Sequence, residues 1–129
     1  EWRQADLSVA KGVMERLVHI ISTVSPGAKL GSTAPYSHAQ CVLVEAGQVQ
    51  PRTLANASLR PVSAGGDVLE STYRSLARFW VDHAQMYGVS NEVALAAMGE
   101  AEGLADALKV ERQSVAEVAS WASSMVRGS

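Results

Sequence analysis

ISTVSPGAKLGSTAPYSHAQCVLVEAGQVQPRTLANASLRPV, from Ile21 to Val62, is the stretch around which the 129-residue chain is organised. An apolar helical pattern leads into it and stops where Pro26 disfavours helical geometry at Ser25. The loop from Ser25 to Pro35 sets Lys29 among Gly27, Gly31, Ser32 and Thr33, a composition that leaves backbone N–H groups and hydroxyls free to meet an anion. From His38 the run HAQCVLVEAG reads as a strand closed by a turn at Gly47. Its unalternating apolar centre, Cys41 to Val44, predicts burial on both faces and a central place in a sheet. Pro51, Arg52, Asn56, Arg60 and Pro61 then punctuate an extended polar segment.

Charge collects in the same place. Between Ser22 and Gly66 the cations are Lys29, Arg52 and Arg60 against the single acid Glu45, a local balance of +2 in a chain whose formal charge is −2. The remainder is therefore at −4, and Gly88 to Ser129 holds six acids against three bases, which suits a solvated or protein-binding face and not a phosphate.

The flanking segments read as helices. Ala10, Val13, Met14, Leu17, Val18 and Ile21 recur at helical spacing and predict one helix over about Ser8 to Ser22 that packs this stripe. Asp67, with Glu70 three residues on, opens a second helix whose stripe of Leu69, Tyr73, Leu76, Trp80, Ala84 and Tyr87 runs to Gly88. That aromatic stripe reads as core packing. Ser114 and Glu117 form a capping box ahead of Val115, Val118, Ala119, Ala122, Met125 and Val126, a helix over Ser114 to Arg127. Between them, Ser90 to Lys109 has helix-forming composition interrupted by Gly99 and Gly103, each costing about 1 kcal/mol in a helix interior.

Several chemistries find no support. The order G-A-K-L-G-S-T places Lys29 before Gly31 and after a helix, whereas a nucleotide-binding loop has its Lys directly after the second glycine and runs from strand to helix. Three separate histidines, His19, His38 and His83, and the single Cys41 offer no metal set and no assembled acid, base or nucleophile, so neither enzyme activity nor a cofactor is expected. Cys41 reads as a packed small side chain in a reducing, cytoplasmic compartment. No apolar run approaches the roughly 20 residues of a membrane span.

The blocks S-P-G-A-K-L-G-S-T-A-P, V-L-V-E, Q-P-R-T-L-A-N-A and L-R-P-V, in that order, resemble the C-terminal part of the repeated backbone subunit of type I-E CRISPR Cascade complexes. The resemblance covers roughly Ile20 to Gly88. It implies a ferredoxin-like (RRM-like) palm, of which residues 1–129 are a single domain forming the C-terminal portion, the chain beginning at Glu1 and not at Met. It also replaces the helix suggested by composition with a strand at Val93 to Met98 followed by loop and turn. The fold class expected is thus α+β, with helices packed on a small mixed or antiparallel sheet.

By the same resemblance, copies of the protein line up along a CRISPR RNA (crRNA) in an antiviral surveillance complex, each gripping the sugar-phosphate backbone. Gly27, Lys29, Gly31 and Ser32 match the family's basic loop, and Arg52 matches the Arg of its Q-P-R block. The implied partners are crRNA, neighbouring copies, other Cascade subunits and, through pairing with the crRNA, target DNA. Leu30 and Gly31 depart from the Gln-Asn that often follows the Lys, and Ser58 stands where the family has Phe. The alternative from a different class is a protein-interaction module with no nucleic-acid role.

Overall fold

A computed structural model describes residues 6–24, 38–48, 50–61 and 66–127. Its elements are α1 (Leu7–Thr23), β1 (Cys41–Ala46), a 3-10 turn (Ala55–Ser58), α2 (Val68–Tyr87), β2 (Glu92–Ala97), α3 (Glu102–Leu108) and α4 (Val115–Met125). The fold is α+β: among the described residues, four helices cover a two-stranded antiparallel sheet, an arrangement consistent with part of a ferredoxin-like domain.

The strands pair from Cys41 opposite Ala97 to Ala46 opposite Glu92. Because side chains alternate across a strand, this register sorts them onto two faces. Cys41, Leu43, Val93, Leu95 and Ala97 pack towards α2 and α3 with Tyr73, Trp80, Leu104 and Leu108. Val42, Val44, Ala94 and Ala96 pack towards α1 and α4 with Met14, Val18, Val118, Ala119 and Ala122. Both faces of β1 are covered, as its unalternating run predicts. It is not the central strand, however: among the described residues β1 pairs only with β2, while β2 also bridges Arg112 in parallel, with Gln113 N donating to Leu95 O at 2.9 Å. The short segment after α3, which carries no strand pattern, supplies that second neighbour.

Local signals set the helix ends. Asp67 Oδ1 accepts from Leu69 N and Glu70 N, and Gly88 closes α2 at φ 64°, where a side chain is strained. Glu70 reaches forward to Arg74 at 2.6 Å and does not return to the cap. In α4 both halves of the capping box are present, and hydrogen bonds from the Ser114 backbone and hydroxyl hold the Glu117 carboxyl below its usual range. Inside α2, the hydroxyl of buried Tyr73 lies 2.9 Å from Met98 O and 3.1 Å from Gln40 O, tying the helix to the open end of the sheet. Burial pushes its phenol up.

Two expectations are corrected. The loop and turn predicted after β2 contain α3, because burying Leu104 and Leu108 contributes about 1.5–3 kcal/mol each and outweighs the roughly 1 kcal/mol cost of Gly103. The strand itself falls one residue from the predicted span. The stripe predicted for α1 is rotated: Met14, Val18 and Ser22 face α4, whose Ala119 and Ala122 allow close approach. Val13, Leu17 and Ile21 are exposed, with Ile21 at 67%, and Val9, Ile20 and Val24 extend the same apolar surface. Two apolar rows share this helix, and periodicity alone does not say which one the core takes.

Two outcomes are expected. Lys109, the C-cap of α3 at φ 59°, should become more favourable as glycine: Lys109→Gly raises stability by about 1 kcal/mol in urea unfolding, whereas Leu104→Ala lowers it by about 2–5 kcal/mol. The exposed row on α1 should drive concentration-dependent association, and Val13→Lys with Ile21→Lys should abolish it in sedimentation runs while altering stability by no more than about 0.5 kcal/mol per site. A compact monomer at high concentration runs against the second expectation.

Candidate functional site

Glu45 ends the apolar run of β1 on the face that looks towards α2, so its carboxylate has to be satisfied inside the molecule. The chain turns at Gly47, and the extended segment through Pro51 returns Arg52 to it. Arg52 Nη2 donates to Glu45 Oε1 at 2.6 Å, and Nε lies 3.0 and 3.1 Å from the two carboxylate oxygens. Asn91, just ahead of β2, donates from Nδ2 to Oε1 at 2.8 Å. Gly47 makes this possible, since a Cβ there would stand 2.2 Å from Asn91 Oδ1.

The α2 helix completes the cluster. The guanidinium carbon of Arg52 sits 4.2 Å from the ring centroid of Trp80, a cation–π contact, and Nη1 lies 3.0 Å from His83 Nδ1. An arginine can only donate, so Nδ1 accepts and the imidazole proton sits on Nε2. His83 in turn lies between Phe79 and Tyr87, one helical turn away on either side, at centroid distances of 5.8 and 4.6 Å. The Arg52 side chain is 5% exposed and that of Glu45 19%. Arginine suits such a place because its planar fork bonds in the plane and stacks on its face at once.

Of the residues singled out in the sequence, Gly27, Lys29, Gly31 and Ser32 lie outside the described residues. Arg52 is brought together with Glu45, Asn91, Trp80 and His83. Arg60 is exposed, and so is His38. Cys41 is half-buried, and desolvation pushes its thiol up, away from the reactive thiolate. His83 turns to Arg52, with Nδ1 3.0 Å from Nη1. Glu45 and Asn91 escaped the reading of the sequence. Glu45 had a signal, as the lone acid of a basic stretch at the end of an apolar strand; Asn91, 46 residues further on, had none.

Residues 3–121 match the sequence family described as CT1975-like protein, a CRISPR-associated (Cas) family. The chain belongs to that family. A comparison with the curated proteins gives no match. In this CT1975-like protein the match takes in the basic stretch, the Arg52 cluster, the elements from α1 to α3 and the first part of α4. Among its described residues, no helix is long and apolar enough to cross a membrane, and no group of three His, Cys, Asp or Glu side chains is placed to hold a metal ion.

The buried pair sets an energetic expectation. Arg52→Ala leaves a largely buried carboxylate without its cation and should cost about 3–5 kcal/mol by urea unfolding. Arg52→Lys should recover only part of this, because an ammonium cannot chelate Glu45, stack on Trp80 and reach His83 together. Replacing both partners, Glu45→Leu with Arg52→Leu, should return stability to within about 2 kcal/mol of the parent.

Proposed function

We propose that this CT1975-like Cas protein is an RNA-binding structural subunit without enzyme activity. It grips the sugar-phosphate backbone of crRNA in the cytoplasm, in a multi-copy type I-E Cascade surveillance complex. The observation that carries the reading is membership of a CRISPR-associated family over residues 3–121, a span that includes the basic stretch from Ser22 to Gly66. In this reading Lys29 meets a phosphate, with Gly27, Gly31 and Ser32 supplying close backbone approach and a hydroxyl. The segment after Gly47 that carries Arg52 forms the second part of the surface. Such groups meet phosphate without reading bases, which suits a subunit that must leave the guide free to pair. The exposed apolar row of α1 supports contacts with further copies or other subunits.

Titration of the protein with unstructured single-stranded RNA at several salt concentrations tests the reading. Affinity should fall linearly with salt on logarithmic axes, and Lys29→Ala should weaken binding alike for unrelated sequences and reduce the slope by about 0.7, the share of one phosphate on a single strand. A sequence-selective loss, or an unchanged affinity and slope with unchanged circular dichroism, overturns the assignment. Binding to protein partners with no RNA affinity at any salt would favour the interaction-module alternative.

A further inference from the structure

We infer that Arg60 is the cation of the segment after β1 that meets an RNA phosphate, and that Arg52 is a positioning residue that holds this segment in place. The inference rests on the RNA-binding reading above and assigns roles within it. The Arg52 guanidinium is committed inside the molecule: Nε and Nη2 to Glu45, Nη1 to His83, one face to Trp80, with the side chain 5% exposed. A phosphate can reach it only by displacing a carboxylate that Asn91 also holds. Electrostatically, Arg52 and Glu45 cancel.

The +2 balance of Ser22 to Gly66 therefore resides on Lys29 and Arg60. Arg60 is exposed and borders a shallow cleft of about 320 Å³ lined by Ala57, Ser58, Arg60, Pro61, Thr72 and Ser75. One guanidinium, the hydroxyls of Ser58 and Ser75 and small apolar groups are the makings of a sequence-independent phosphate contact, while Thr72 donates its own hydroxyl to Val68 O at 2.7 Å. The acids nearest in sequence on α2 are engaged already, Asp67 in the helix cap and Glu70 with Arg74.

Arg52 anchors what Arg60 needs. From Pro51 the chain passes over α2 through Leu54, which packs on the core, and the 3-10 turn at Ala55–Ser58 to reach Arg60. The guanidinium cluster is the polar tie that fixes the start of this path.

The test measures affinity and salt slope for one unstructured single-stranded RNA with three variants of the protein. Arg60→Ala, at an exposed position, should keep the parent melting temperature, lose about tenfold in affinity and reduce the slope by about 0.7. Glu45→Gln should weaken RNA binding at an unchanged slope, because Arg52 loses its charged holder while no phosphate contact disappears. If Arg52 were itself the phosphate ligand, freeing it from Glu45 would strengthen binding and steepen the slope, and that result overturns the inference. So does an unchanged slope in Arg60→Ala. Should Glu45→Gln fail to fold, Glu45→Leu with Arg52→Leu replaces it: the parent slope supports the positioning role and a slope lower by about 0.7 overturns it. Lys29→Ala is the control, since loss of slope there with none in Arg60→Ala defeats only this inference, and no effect in either defeats the RNA-binding reading.

Discussion

The carboxylate of Glu45 stands at the end of a strand covered on both faces, and much of the arrangement around it answers that one constraint. A charge in such a place has to be paired and hydrogen-bonded. Arg52 comes back from the following segment to chelate it, Asn91 adds a third donor from just ahead of β2, and Trp80 and His83 on α2 cover and orient the guanidinium. Four separate pieces of chain converge there: the end of β1, the extended segment, the middle of α2 and the entry to β2. The pair contributes little net stability over an apolar substitute, but it requires all four pieces to be in register.

Around that point the molecule is layered. The sheet lies between α2 and α3 on one face and α1 and α4 on the other, with β2 holding the central position through its bridge to Arg112. Tyr73 joins the far end of the sheet to α2, as the Arg52 cluster joins the near end. The most buried large side chains, Leu95, Leu104 and Val118, come from β2, α3 and α4, so the C-terminal half supplies most of the core. The N-terminal α1 is different, for it gives one narrow row to this core and turns the other outwards.

This division suits a subunit of an assembly. Family membership places the chain among CRISPR-associated proteins, and the proposed RNA contact falls in the stretch from Ser22 to Gly66, whose charge balance is positive. An acidic, well-packed C-terminal half carries the basic segment, which is braced from beneath by an internal ion pair. In the proposed reading bracing and gripping fall to different cations, and sequence patterns that match both do not distinguish them.

Much was determined by the sequence alone. Caps at Asp67, Gly88 and Ser114 act within a turn of their own positions, the run at Cys41–Ala46 is short, apolar and closed by Gly47, and α2 carries a period set by helix geometry, so these helix ends, the first strand and the fold class were legible there. Lys29 and its small neighbours could be picked out by composition, though they lie outside the described residues. The tertiary structure decided the rest, because it depends on which surfaces meet. Burial of Leu104 and Leu108 made a helix across Gly103, and small residues on α4 selected Met14 and Val18 over the richer row beside them. Among the described residues, the bridge at Arg112 gives the central position to β2 and not to β1. A contact across 46 residues, Asn91 to Glu45, turned Arg52 from a surface cation in a basic stretch into the covered partner of a buried acid, and no local pattern encodes that pairing.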